Sequence, residues 1–286
     1  MDETTISIPT SDGISLQTYR WAPSGSPRAV VCVQHGLAEH AARYRRFAEA
    51  LTGAGYLVYG PDGRGSGRTA QGRFGDWGPD SWAGWIDDLR RLNERVRADN
   101  PGLKVALFGH SLGSFASQHF LLDHSDLVDA AILCGSTDVG PMVDVLSAPE
   151  PADLTSFNDP FENRTGFEWL SRDEAEVDRY VADPMCGWQG QTFTKMEGLR
   201  AASDPAAVAR VRADLPILII SGDMDPVGGP GGAGLVTLAE RYRTAGVQDV
   251  TLTLYPGARH ELLNETNRDE VTRDVIAFLD RTVRAQ

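Results

Sequence analysis

Apolar and polar positions alternate with period two at the start of the chain. Residues 4–8 (TTISI) and 14–21 (ISLQTYRW) flank the turn signal Ser11-Asp12-Gly13, a pattern that predicts an antiparallel hairpin at a sheet edge. The pattern then changes. Residues 28–34, 55–59, 104–108, 129–134, 216–221 and 249–255 are short, nearly continuous apolar runs, as expected of buried and mostly parallel strands. Between them, residues 43–53, 81–99, 114–123, 233–245 and 266–283 repeat their apolar positions with helical period. Strand and helix in alternation predict an α/β fold with an open, mostly parallel central sheet flanked by helices. Ligands of such sheets sit outside the carboxyl ends of the strands.

One stretch breaks the rhythm. From about residue 136 to 213 no buried strand is legible, yet the segment carries Phe157, Phe161, Phe167, Trp169, Tyr180, Trp188 and Phe193 among many acids. Ser171 and Glu174 have capping-box spacing, which predicts a helix with Val177, Tyr180 and Val181 on one face. Seven large aromatic side chains are costly to leave in water. The segment is therefore expected to be an inserted helical cap over a pocket rather than surface decoration. The resulting division is a core of residues 1–137 and 210–286 and a cap of residues 138–209.

Composition narrows the function classes. With 286 residues, 41% hydrophobic and 23% charged, the chain reads as an ordinary globular protein. Its net charge of −13 repels nucleic acid and anionic lipid at long range. The opening MDETTISIPTSDG has neither the basic nor the apolar segment of a secretory signal, and no run approaches the ~20 apolar residues that span a bilayer. Cys32, Cys134 and Cys186 form no Cys-x-x-Cys pair and read as thiols rather than a disulfide framework or zinc site. The expectation is a cytoplasmic protein with no nucleic-acid partner and no stable membrane insertion.

Residues 107–115 (LFGHSLGSF) carry the candidate chemistry. Gly109 and Gly113 flank Ser111 at a strand-turn-helix junction, where residues lacking a Cβ let strand and helix pack close beside a strained nucleophile. A βα turn that uses glycine only to turn would look the same, so the partners decide. A serine hydroxyl needs a base to take its proton and a carboxylate to hold that base. After the run at 216–221 come Asp223 and Asp225, and after the run at 249–255 comes His260, so the order is serine, acid, histidine. His119 and His124 fall on or just after the helix following Ser111, His110 adjoins the serine, and His35 and His40 shape an earlier loop, which leaves His260 as the base. Local chemistry does not separate the two acids, although Pro226 favours an extended Asp225. Backbone N–H groups of Leu112 and, because Gly36 is expected to let the backbone turn, of Leu37 are candidate oxyanion donors. The glycine-rich loop at 227–234 lacks the Lys-Ser/Thr of a phosphate cradle.

His35-Gly-Leu-Ala-Glu-His40 with Arg43-Tyr44, Asp62-Gly-Arg-Gly65, Gly109-His-Ser-Leu-Gly113, Gly222-Asp-Met-Asp-Pro-Val227 and Pro256-Gly-Ala-Arg-His-Glu-Leu-Leu-Asn-Glu265 together resemble the monoacylglycerol lipase and lysophospholipase branch of the α/β-hydrolases. The resemblance runs over nearly the whole chain, cap included. It implies hydrolysis of carboxylic esters with an apolar acyl group through an acyl-enzyme, without metal or organic cofactor. By motif position it assigns the nucleophile to Ser111, the acid to Asp225, the base to His260 and the oxyanion donors to Leu37 and Leu112. The chain departs from the pattern at Gly63 and Ser66, where relatives often carry histidines, so pocket shape does not carry over. Two rivals are an aminopeptidase, with Glu168, Glu174 or Asp178 holding an amino group, and a non-catalytic ligand receptor on the same fold. Oligomeric state is not readable from the sequence.

Overall fold

The computed structural model describes residues 1–150 and 153–283; residues 151–152 of the expected cap and 284–286 of the expected core lie outside the described residues. Strands β1 (Asp2–Pro9) and β2 (Ser15–Ala22) form the anticipated edge hairpin, paired antiparallel along their full length. Six further strands follow: β3 (Val30–Gln34), β4 (Leu57–Pro61), β5 (Val105–His110), β6 (Ala130–Cys134), β7 (Ile217–Gly222) and β8 (Val250–Tyr255). They join in one sheet of order β1-β2-β4-β3-β5-β6-β7-β8, with β2 antiparallel to β4 and every pair from β4 to β8 parallel. The five strands β3 to β7 are buried at every position, which is why they read as apolar runs rather than alternations.

Alternate strand residues feed two helical layers. Val31, Val33, Phe108 and Ile220 pack with α1 (Arg45–Gly53) and α9 (Arg268–Thr282) on one face. On the other, Cys32, Leu107 and Ile219 pack with α2 (Ser81–Asp99), α3 (Leu112–His124) and α8 (Ala233–Thr244). Between β6 and β7 the described residues hold no strand, only the short helices α4 (Val139–Leu146), α5 (Glu174–Ala182), α6 (Glu197–Ala201) and α7 (Pro205–Val208) and 3₁₀ turns. No described helix is long and apolar enough to cross a membrane.

Two details of α5 depart from the sequence reading. Its N-cap is Asp173, whose carboxylate accepts from Ala175 N–H at 3.1 Å, while Ser171 Oγ instead accepts from Asp173 N–H at 2.9 Å and donates to Asn264 O at 2.9 Å. The capping box is displaced because the serine is held by the core. Val177 and Tyr180 are buried as expected, but Val181 is 49% exposed, because only the narrow seam through the first two meets the core.

Candidate active site

The sheet order explains which loops meet. β3 and β5 are neighbours, so the loop after β3 lies against the turn after β5; β7 and β8 are neighbours, so Asp225 and His260 leave adjacent strand ends. Ser111 sits between β5 and α3 with φ 51° and ψ −122°, a left-handed strain that a non-glycine residue tolerates only when its surroundings over-determine it. Its N–H donates to Cys134 O at 2.9 Å, and its carbonyl accepts from Ser114 and Phe115. A Cβ on Gly113 would lie 2.5 Å from Gln34 O, and one on Gly109 would lie 2.5 Å from Gly113 O. Close approach, as expected, is what these glycines supply.

Asp225 and His260 are each 1% exposed. His260 Nδ1–H donates to both carboxylate oxygens of Asp225, at 2.9 and 3.0 Å. Asp225 is fixed in turn by Ser221 Oγ–H at 2.7 Å and Val227 N–H at 2.9 Å. Burial works against the Asp225 charge, but His260 and these two donors outweigh it and hold the carboxyl below its usual range. Burial likewise opposes the imidazolium, but Asp225, with Glu261 and Glu39 behind it, raises His260 above its ordinary value of 6.5. His260 Nε2 is buried and hydrogen-bonded to no described residue, Ser111 included; such contacts are commonly long before substrate arrives. Asp223, by contrast, accepts from Gly257 N–H at 2.7 Å and pins the turn that precedes His260. The structure thus separates two acids that local chemistry left equivalent.

Leu37, Ser111 and Leu112 face one narrow apolar cleft with a cavity volume of about 30 Å³, walled on the core side also by Phe115 and Val227. Met142, Val145, Leu146, Leu154, Phe157 and Trp169 close it from the segment between β6 and β7. A second narrow cleft, of about 20 Å³, shares Leu37, Leu146 and Leu154 and is lined also by Trp77, Trp188, Phe193, Gln191 and Thr192. The amides of Leu37 and Leu112 donate to no other described residue. Gly36 serves differently from the expected turning residue: its φ is not positive, but a Cβ there would sit 3.0 Å from Ser111 Cβ, and the left-handed residue of this loop is Ala38 at φ 54°.

The remaining histidines have other work. His35 Nε2 accepts from Gly63 N–H at 2.9 Å and its Nδ1–H donates to Gly36 O at 2.8 Å. His119 accepts from Trp82 Nε1–H at 2.9 Å, and His40 Nε2 bonds Asp183 at 2.9 Å. Burial, and then repulsion by His260, push His110 down to about 4, so it stays neutral. Gly63 makes room for Trp85, which a Cβ would meet at 3.0 Å, and neither it nor Ser66 lines the cleft. That loop is tied to the segment after β3 through His35 and through Asp62, which accepts from Ala41 N–H at 2.9 Å.

Sequence reasoning missed the groups that hold these loops. Glu265, fully buried, accepts from Arg259 N–H and Arg172 N–H at 2.9 and 3.0 Å. His260 N–H and Glu261 N–H donate to Trp169 O and Leu170 O at 3.3 and 2.8 Å, and the Trp169 ring lies 4.8 Å from the His260 ring. On the other loop, Tyr180 O–H and Gly187 N–H both donate to Ala38 O, at 3.0 and 2.9 Å. Glu265, five positions after the candidate base His260, was the available signal, but charged residues near a turn are usually solvated.

A mostly parallel eight-stranded sheet with a strained serine after β5 and a His-Asp pair after β8 and β7 defines an α/β-hydrolase. The comparisons agree and go further. The family model described as "Serine aminopeptidase, S33" matches residues 25–267, and the chain belongs to that family. It is 30% identical over 278 residues to the "Monoacylglycerol lipase" of Mycolicibacterium smegmatis, covering 93% of each chain. It is also 30% identical to the "Monoglyceride lipase" of Mus musculus, covering 93% of this chain and 86% of that one. Among solved structures, a highly thermostable carboxyl esterase from Bacillus coagulans superimposes with a TM-score of 0.88 at 26% identity, covering 99% of both chains. The protein is a carboxylic ester hydrolase of the monoacylglycerol lipase-like branch.

Proposed function

We propose that Ser111, His260 and Asp225 act as nucleophile, base and orienting acid in the hydrolysis of small esters with an apolar acyl group, with the Leu37 and Leu112 amides binding the oxyanion. Ser111 Oγ attacks the ester carbonyl as His260 Nε2 takes its proton, and the imidazolium returns that proton to the leaving alcohol. The acyl-enzyme is then opened by water through the same base. The observation that carries this reading is the state of His260: one ring nitrogen is locked on Asp225 and the other is unused.

Residues 138–209 form the cap in this reading, and the apolar cleft beside Ser111, with the neighbouring one that shares Leu37, Leu146 and Leu154, receives the acyl chain. Monoacylglycerol-like esters lead, in line with the names of the relatives, beside lysophospholipid-like esters, and short-chain esters come next. The aminopeptidase alternative loses support because two of its three acids are engaged elsewhere and none lines the cleft. Glu168 accepts from Asn158, Arg164, Thr165 and Gly166, Asp178 pairs with Arg164, and exposed Glu174 does not line the cleft.

The test is Ser111→Ala, assayed on a monoacylglycerol and on a prolyl anilide beside the wild type. Wild-type turnover of the ester, stoichiometric labelling by a fluorophosphonate and a loss of kcat of about 10⁶ in the variant are expected. Ester turnover retained by a folded, uncontaminated variant overturns the mechanism. Preference for the anilide overturns the substrate class.

A further inference from the structure

Three buried charged groups lie beside the site without touching the reacting atoms. Arg43, on the 3₁₀ turn ahead of α1, has a side chain only 11% exposed. Its Nη1 donates to Glu39 Oε2 at 2.7 Å and to Glu261 Oε1 at 2.5 Å, and its Nη2 donates to Glu261 Oε2 at 2.7 Å. Glu39 in turn accepts Gly36 N–H at 2.5 Å and Tyr44 O–H at 2.8 Å through Oε1. Gly36 immediately precedes Leu37, and Glu261 immediately follows His260. A single guanidinium therefore spans the loop that bears one oxyanion amide and the loop that bears the base.

We propose that Arg43 is a positioning residue that holds the Leu37 amide and His260 in one rigid frame, through Glu39 on one side and Glu261 on the other. The inference rests on the assignment of Ser111 and His260 above. Stability alone is a poor reason for the arrangement, since a buried ion pair is often matched by apolar residues of the same volume. Geometry is a better one. The fork of Arg43 fixes Glu261 through two parallel bonds, which a lysine cannot do. Glu39 likewise has its carboxylate fixed from both ends, so a movement of either loop is felt by the other. The stacking of Arg43 on the Tyr180 ring, 4.8 Å from its centroid, and the bond from Tyr180 to Ala38 O extend the frame to α5. Oxyanion donors act only when they point at the charge as it develops, so a loop displaced by ~1 Å loses rate rather than substrate affinity.

The experiment is a set of kinetic cycles with Arg43→Met, Glu39→Gln and Glu261→Gln, singly and combined, on a soluble monoester. Every rate is divided by the concentration of sites titrated with a fluorophosphonate, so that misfolded protein does not count. Arg43→Met is expected to lose about 10²-fold in kcat per titrated site with KM nearly unchanged. Its affinity for a trifluoromethyl ketone should fall in parallel with kcat/KM, and Arg43→Lys should recover only part of the loss. Glu261→Gln and Glu39→Gln should have no further effect once Arg43 is gone, as members of one unit are non-additive. Unchanged kcat per titrated site in Arg43→Met, or additive effects with the two glutamines, overturns the proposal. Should Arg43→Met fail to fold, the Glu39→Gln and Glu261→Gln pair decides alone: coupled losses support the frame and additive ones overturn it. Turnover retained by Ser111→Ala overturns the underlying assignment and the frame with it, whereas a dead Ser111→Ala beside a fully active Arg43→Met overturns the frame alone.

Discussion

At the scale of single residues, the division of labour between Asp223 and Asp225 is set by where each carboxylate ends. Asp225 meets His260 Nδ1 and Asp223 meets the Gly257 amide. Asp225→Asn should therefore lower kcat by about 10⁴, as loss of an orienting carboxylate does in other triads. Asp223→Asn should lower it far less, because an asparagine oxygen still accepts from Gly257 N–H. Equal unfolding midpoints for the two variants would make the comparison clean; a larger loss in Asp223→Asn would reverse the assignment. A pH profile follows from the same residues. His260 accepts a proton only when neutral, and although burial lowers its pKa, Asp225 and then Glu261 raise it above 6.5. The acid limb of kcat/KM should accordingly lie above 6.5, and Glu261→Gln, which removes one of the charges that favour the imidazolium, should move that limb to lower pH. A limb that stays in place or moves up would contradict the sign.

Among the elements, α4 is the one that bears on substrate choice. Leu146, at its end and 7% exposed, borders both clefts. Each methylene of an acyl chain that enters should contribute up to about 0.8 kcal/mol, roughly a fourfold gain in kcat/KM, until the clefts are full. Leu146→Trp should shorten the chain length at which that gain stops, measured across a series of monoesters. An unchanged profile would place the acyl chain elsewhere. Wholesale removal of the segment is a poorer test than this point change. Phe193 stacks 4.4 Å from Trp77 and packs with Trp82 and Trp85 of α2, so deletion would open the core itself. The seven aromatics that suggested a cap thus divide between duties: Phe157 and Trp169 line the first cleft, Trp188 and Phe193 the second, Phe167 packs on Tyr180 at 5.1 Å, and Phe161 lies under the Arg259 guanidinium, 4.4 Å from its ring centroid.

For the whole molecule, the dominant property is charge. A net charge of −13 and an acidic sequence pI of about 4.9 set up repulsion from any anionic surface, strongest when salt is low. In sedimentation with phosphatidylserine vesicles at low ionic strength the protein should stay in the supernatant. Co-sedimentation that disappears with added salt would reveal a basic patch that outweighs the net charge.

The sequence by itself determined the order of strands and helices along the chain, the edge hairpin and the strand-turn-helix junction at Ser111. Those features depend on local periodicity and on glycines whose spacing is fixed along the chain. Only the tertiary structure separated Asp225 from Asp223, turned Val181 outward, put Gly36 to use as space rather than as a turn, and joined Glu39, Arg43 and Glu261. Arg43 and Glu261 are 218 positions apart in sequence. Whether a charged side chain is solvated or buried against a distant partner depends on which strands are neighbours, and that order is not contained in the pattern of any one segment.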